Sequence, residues 1–322
     1  MRRRTLLTTG AAALAAPAIR AQAAWPHGRP IRVIVPFPPG AVNDLLGRML
    51  AQRLQDKLGA TAVVENRVGG NGVVGTGHVV QSAPDGYTLL ASAFNTVVLH
   101  LVTPNLPFDP MADLDVVART GVAPLVMVMT PDRPQTTIAE VVAAAKADPR
   151  NWTFAITSVG SAGHLATIEF NRRSGANVEM APYRGTQPAL TDVIAGNVQL
   201  LIDPAFALLP AARGGRVKAL GIASAQRSEI APDLPTMREA GLGDFVFNSW
   251  YGIWAPRGTP AEIKGRVNAL MAEAMREPET RAWLTQRLVE PVAETAEEAR
   301  AFMVSEEKRA RELLASVNFK PA

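Results

Sequence analysis

The chain reads as an α/β protein of two lobes, with mainly parallel sheets flanked by helices. Three observations lead there. Strand-like apolar runs alternate with amphipathic helical ones along the sequence. Its 322 residues exceed what a single hydrophobic core comfortably serves. No internal repeat or low-complexity linker separates two halves, so the lobes must be joined by strands that cross between them.

The first strand is Ile31 to Val35, followed by a helix from Asp44 to Leu58 that stops at Gly59. A strand over Ala62 to Glu65, a helix over Gly72 to Gln81 and a strand over Thr88 to Ala91 come next. Leu125 to Thr130 reads as a strand leaving the first lobe. Beyond it lie a helix over Thr137 to Asp148, a strand over Thr153 to Ala155, and a helix from His164 to Ser174 that ends at Gly175. A helix over Gln187 to Ala195 precedes strands over Val198 to Ile202 and Ala219 to Ala223. Tyr251 to Ala255 is the return strand, and helices over Pro260 to Met275, Pro278 to Gln286 and Ala296 to Leu314 complete the chain. On this reading residues 24–125 and 252–322 form lobe one, and residues 126–251 form lobe two, each of ordinary domain size.

Residues 1–23 read as an export signal. Arg2, Arg3 and Arg4 precede an apolar run from Gly10 to Ala18 and a small-residue cleavage site at Ala21-Gln22-Ala23. Arg3-Arg4-x-Leu6-Leu7 has the twin-arginine pattern, and the run is too short to span a membrane, so the mature protein is expected in the periplasm. The full chain has Lys+Arg 33 against Asp+Glu 29, and the signal holds four arginines (Arg2, Arg3, Arg4, Arg20) and no acid, which leaves 29 against 29. A balanced mature chain gives no support for nucleic-acid binding. With no cysteine there is no disulfide, no thiolate nucleophile and no cysteine-based zinc site. His27, His78, His100 and His164 show no metal-ligand spacing, and no cofactor is called for.

The loop Pro36-Phe37-Pro38-Pro39-Gly40-Ala41-Val42-Asn43-Asp44 joins the first strand to the first helix. Prolines fix φ, Gly40 permits an unusual backbone angle, and a helix start presents unpaired N–H groups at the positive end of its dipole, so the loop can accept an anion without a basic side chain. The reading without a ligand is a turn capped by Asn43 or Asp44. Gly70-Asn71-Gly72-Val73-Val74-Gly75 matches G-x-G-x-x-G, but the turn is lengthened by Arg67-Val68-Gly69 and the next strand does not end in an acid, so it reads as a glycine-rich turn rather than a dinucleotide site. Ser158-Val159-Gly160-Ser161-Ala162-Gly163-His164 offers serines and a histidine, with Asp203 as a third member, yet neither serine sits in G-x-S-x-G. The segment serves instead as a second anion-accepting rim, or as a loop in which Ser161 merely caps a helix.

With those motifs in hand, the chain resembles the extracytoplasmic solute-binding proteins of the tripartite tricarboxylate transporter group, the Bordetella-uptake-gene or TctC-like receptors. The resemblance runs through Trp25-Pro26, Val35-Pro36-Phe37-Pro38-Pro39-Gly40, Val64-Glu65-Asn66-Arg67, Ala83-Pro84-Asp85-Gly86-Tyr87-Thr88-Leu89, Pro182-Tyr183-Arg184-Gly185, Ala231-Pro232-Asp233-Leu234-Pro235-Thr236, Ser249-Trp250-Tyr251-Gly252 and Ala255-Pro256-Arg257-Gly258-Thr259-Pro260. It implies a type II-like, two-lobed periplasmic-binding fold with the ligand in the cleft between lobes. It also implies a receptor without enzymatic activity, capturing a small carboxylate for a membrane transporter pair of the tripartite tricarboxylate type, or for a sensor domain in signalling. By the same resemblance one carboxylate is held, directly and through ordered waters, by Phe37, Pro39, Gly40, Ala41 and Asp44 on the first loop and by Ser158, Ser161, Ala162 and His164 on the second. The family often has Gly-Gly where this chain has Gly40-Ala41, and Ala41 would be strained at positive φ.

At the far end of the ligand stand Asn95, Phe94, Tyr183, Arg184 and Asp203, a set that reads a second carboxylate, an ammonium or an aromatic ring. Arg184 favours an anion, Asp203 an ammonium, and Phe94 or Phe206 a ring. Without a ligand role, Asp203 satisfies the turn before Pro204 and the two phenylalanines are core. The competing function is an exported Ser/His-dependent hydrolase working through Ser158 or Ser161.

Overall fold

A computed structural model describes residues 25–229 and 231–321. The expected export signal lies outside the described residues. Among those described, no helix is long and apolar enough to cross a membrane.

In chain order the strands are β1 (Ile31–Val35), β2 (Ala62–Asn66), β3 (Thr88–Ala93), β4 (Leu114–Met129), β5 (Thr153–Ile156), β6 (Glu179–Pro182), β7 (Leu200–Pro204), β8 (Lys218–Ile222), β9 (Asn248–Pro256) and β10 (Glu290–Pro291). The helices are α1 (Val42–Leu58), α2 (Val73–Val80), α3 (Asn95–Val102), α4 (Pro110–Asp113), α5 (Ile138–Ala147), α6 (Ala162–Ser174), α7 (Thr186–Ile194), α8 (Ala205–Arg213), α9 (Ala261–Arg276), α10 (Pro278–Thr285) and α11 (Ala296–Ser316). Capping boxes open α5 at Thr137 with Glu140 and α11 at Thr295 with Glu298. Gly59 and Gly175 end α1 and α6 in the left-handed region, where a glycine carries no Cβ penalty.

Strands neighbour one another in the order β2-β1-β3-β9-β4-β7-β5-β6. β1 pairs in parallel with β2 and β3, and β5 pairs in parallel with β6 and β7, so two parallel sets are built from strand–helix–strand units. The long strand β9 runs antiparallel to β3 of the first set, the long strand β4 antiparallel to β7 of the second, and the two are antiparallel to each other. β4 pairs with β9 from Leu114 to Pro124, then with β7 from Leu125 and with β8 from Val126 to Met129. A proline has no N–H to give a ladder, and Pro124 sits where β4 changes partners.

Several elements depart from the sequence reading. β4 begins eleven residues before Leu125, because Pro124 and Gly121 mask a strand that in fact continues through two register irregularities. α3 is a helix although Thr96-Val97-Val98 is β-branched. Tertiary burial decides it, since Val97, Val98 and Leu99 are almost fully covered. α8 follows Pro204 and contains Pro210, so its sequence reads as a turn, and the four-residue β6 is too short to announce itself.

One core cluster gathers β1, α1, β3, β9 and α9 through Ile31, Leu46, Leu50, Leu89 and Ile253. A second surrounds α7, β7 and α8 through Leu190, Leu201 and Leu208. A third runs between them, with Trp250 and Trp254 fully buried and α11 laid across it. Phe94 and Phe302 meet Trp250 edge-on at ring separations of 5.8 and 5.5 Å.

Candidate ligand cleft

β1, β3, β5, β6 and β7 each end in a loop that opens a helix, and these five loops meet around one cavity of about 300 Å³. Five helices begin in its wall: α1 at Ala41–Asn43, α3 at Phe94–Asn95, α6 at Ser161–Gly163, α7 at Gly185–Pro188 and α8 at Pro204–Ala207. The first N–H groups of a helix have no intrahelical acceptor and carry the positive end of its dipole. The cavity is therefore lined with oriented backbone donors.

The first loop is fixed from behind. Gly40 takes φ +86 and turns its N–H onto Asp44 Oδ2 at 2.9 Å. The Asp44 carboxylate also accepts two bonds from Arg48 at 3.0 Å and one from Asn66 Nδ2 at 2.9 Å, while Asn66 Nδ2 reaches the Phe37 carbonyl at 3.0 Å. Burial pushes Asp44 up, but the bonds from Arg48, the Gly40 N–H and Asn66 outweigh it and hold the carboxyl below its usual range. One expectation is corrected here. Gly40 spends its N–H on Asp44 rather than offering it to the cavity, and Asp44, named with the ligand residues, stands behind the loop it supports and outside the cavity wall. Ala41 is also unstrained, at φ −70 and ψ 159, because Gly40 alone takes the positive angle. Ala41, not Asn43 or Asp44, is the N-cap of α1, and no side chain caps its first N–H groups. Asn43 lies within the first turn, lines the cavity, and has a buried Nδ2 with no hydrogen-bond partner. A buried amide left unpaired in a cavity wall is costly, and a ligand can relieve it.

The second loop is built the same way. Gly160, at φ +81, donates its N–H to His164 Nδ1 at 3.0 Å. Accepting there requires the imidazole to be neutral at Nδ1, and burial pushes its pKa down to about 4. His164 thus braces the loop from inside and does not line the cavity, which corrects its assignment to the ligand site. Ser161 is the N-cap of α6 and its Oγ accepts the His164 N–H at 3.1 Å, leaving the hydroxyl proton as a donor. Gly163 follows from close packing. A Cβ there would lie 2.2 Å from the Ile202 carbonyl oxygen, so only glycine lets α6 start this close to β7.

Asp203 ends β7 at the cavity floor. It does more than satisfy a turn, because its carboxylate accepts the hydroxyls of Thr157, at 3.1 Å, and Thr186. Burial pushes its pKa up to about 6, against the pull of those two hydroxyls. Tyr183 turns away from the cavity and donates its hydroxyl to Asp192 at 2.7 Å, with its pKa raised to about 12 by burial and then by that carboxylate. Its assignment to the cavity wall is corrected accordingly. Arg184 lies exposed on the rim and makes no ion pair among the described residues. Phe37, Pro39, Ala41, Asn95, Ser158, Ser161 and Ala162 all line the cavity, as do Phe94 and Phe206.

The serine–histidine–aspartate grouping does not form a relay here. Ser158 Oγ bonds Asn71 Oδ1 at 3.0 Å, Ser161 Oγ accepts a backbone N–H, the imidazole accepts from Gly160, and Asp203 holds threonines. Among the described residues no group of three or more His, Cys, Asp or Glu is placed to hold a metal ion. The sequence reading missed Asn71, which sits at φ 56 in the glycine-rich turn and joins Ser158 to Asn95 across the mouth of the cavity. It also missed Thr157, Thr186 and the amide of Asn43; a positive-φ asparagine between glycines was the one local signal available.

The comparisons with known proteins agree with this architecture. The family model "Tripartite tricarboxylate transporter family receptor" matches residues 46–319. The chain is 39% identical over 284 residues to Protein BugT of Bordetella pertussis, covering 87% of each chain. Among solved structures it is similar to R. palustris Rpa4515 with adipate (29% identity, TM-score 0.87, 92% of this chain and 100% of that one). It is likewise similar to MatC (Rpa3494) from Rhodopseudomonas palustris with bound malate (28% identity, TM-score 0.81, 89% and 99%). The fold is that of the two-lobed periplasmic binding proteins.

Proposed function

Because the chain belongs to the tripartite tricarboxylate transporter receptor family, we propose that it captures a small carboxylate in the cavity between its lobes and delivers it to a membrane transporter pair of that type. The observation that carries the reading is the convergence of five helix starts on a cavity with one cationic side chain at its rim. The adipate and malate held by the two solved relatives support the same chemistry.

On this reading one carboxylate sits between two sets of donors. The N–H groups of Ala41 and Val42 with the Asn43 amide face it from α1, and the N–H groups of Ala162 and Gly163 with the Ser161 hydroxyl face it from α6. Asp44 and His164 hold those donors in place from behind. The lobes divide where β4 changes partners near Leu125 and where β9 begins, a few residues before 252. The Asn71–Ser158 bond crosses the mouth between them and favours the closed form. Export through residues 1–23, with cleavage after Ala23, delivers the protein to the periplasm, and replacing Arg3 and Arg4 by lysine should trap precursor.

A thermal-shift screen against mono-, di- and tricarboxylates, acidic amino acids and the matching uncharged amides tests the reading. A ligand that binds only the folded protein raises the melting temperature. Acids should raise it and their amides should not; equal shifts from acid and amide would refute a carboxylate site.

A further inference from the structure

The cavity wall is uneven in chemistry. Around the proposed clamp it is made of backbone N–H groups, Ser161 and Asn43, while the remainder sets rings and prolines among the uncharged polar side chains of Asn95, Ser158, Thr186, Gln187 and Ser249. Phe37, Phe94, Phe206 and Tyr251 reach it from four separate segments, with Pro188 and Pro204 beside them. Phe206 comes from α8 yet packs against the core cluster of β1, α1 and β9, so it reaches across the cleft as part of its wall. The ionisable groups there do not suit a polyanion. Arg184 is exposed on the rim, where solvent screens it, and Asp203 is buried on the floor with two hydroxyls already donated to it. A second carboxylate directed inward would meet an acid and aromatic faces rather than a cation.

Resting on the carboxylate reading above, we infer that this receptor selects a carboxylate whose body is an apolar ring, with Phe206 as the residue that determines that selectivity. One end of such a ligand satisfies the helix starts and the Asn43 amide. The other packs on the aromatic wall in edge or offset geometry and leaves Asp203 to its threonines. A tricarboxylate is disfavoured, since among the described residues no buried cation lines the cavity to meet its second and third charges and Asp203 would repel one directed at the floor.

Titration calorimetry of the purified protein with benzoate, adipate and citrate tests this. Benzoate should bind at least about tenfold more tightly than citrate, and more tightly than adipate. Phe206→Ala should weaken benzoate by about three- to tenfold, the loss expected for one aromatic contact, and change adipate less. Adipate or citrate binding more tightly than benzoate, no binding of benzoate, or benzoate affinity unchanged by Phe206→Ala would each overturn the inference. Benzamide separates the two levels. If it binds as well as benzoate, the carboxylate clamp fails while the ring pocket stands; if citrate binds best, the clamp stands and the ring selectivity fails.

Discussion

Replacing Asp203 by asparagine should flatten the dependence of stability on pH between about pH 4 and 7. Burial raises the folded carboxyl from 3.8 to about 6, with Thr157 and Thr186 opposing the rise. The folded state therefore holds its proton more tightly than the unfolded state. The stability this contributes is complete below the unfolded value and is lost as pH rises through about 6. A shift of roughly two units corresponds to about 3 kcal/mol at most, and charge reorganisation around the cavity should bring the observed figure to about 1–3 kcal/mol. Asparagine keeps an oxygen for one threonine, and the other hydroxyl can rotate to accept from the amide nitrogen, so the variant should fold. Urea unfolding of both proteins at several pH values gives the difference directly. The wild type should lose stability relative to Asp203→Asn as pH rises from 4.5 to 7.5, and a difference constant across that range would refute the reasoning. The same experiment with ligand carries a further sign. An anion near Asp203 favours its protonated form, so carboxylate affinity should fall as pH rises through 6, whereas an ammonium ligand would show the opposite slope.

Other expectations follow from the same contacts. Gly163→Ala places a Cβ 2.2 Å from the Ile202 carbonyl and should cost about 1–3 kcal/mol or more by denaturant unfolding; wild-type stability would contradict the close packing. Asp44→Ala leaves Arg48, Asn66 and the Gly40 N–H without their shared acceptor and should cost about 3 kcal/mol and weaken binding, measured by thermal unfolding and calorimetry. Glu65, held at about 2 by hydrogen bonds from Arg32 and then Arg67, contributes stability present above its unfolded value of 4.5 and lost as pH falls toward 2; replacing it by glutamine should remove that part of the acid transition. Asn71→Ala breaks the bond to Ser158, so small-angle scattering with saturating ligand should show a more open molecule than the wild type; equal dimensions would deny the bond a role in closure.

Much of the scaffold could be read from local pattern, and much of the site could not. Ile31–Val35 feeding α1, or Thr153–Ile156 feeding α6, follow from short apolar runs, a glycine-bearing loop and a helical period. α3 and α8 could not be read this way because β-branched residues and Pro210 argue against helix, and only burial against Trp250 and the β7 layer overrules them. The two loops announce themselves through their glycines and prolines. Which side chains face the cavity depends on partners far away in sequence. Asp203 is oriented by Thr157, 46 residues earlier, and by Thr186, 17 residues earlier. His164 looks like a ligand residue until the Gly160 N–H is seen to occupy its Nδ1. Tyr183 alternates onto the outer face, where Asp192 waits in the second turn of α7. Sequence supplies the loops as candidate binding elements, and the long-range hydrogen bonds divide them into donors that face a ligand and groups that hold those donors.

Ala162→Pro is the substitution that isolates the carboxylate clamp. Ala162 is the first residue of α6, a position where proline is favoured, and Ser161 before it is already extended at φ −68 and ψ 160. Proline there removes one unpaired N–H from the cavity wall and leaves the helix and its Ser161 cap intact. Titration calorimetry with the acid that binds the wild type most tightly should show affinity reduced about tenfold or more, the worth of one hydrogen bond to a charged group. Unchanged affinity in an Ala162→Pro variant that unfolds like the wild type would mean that the start of α6 does not hold the ligand.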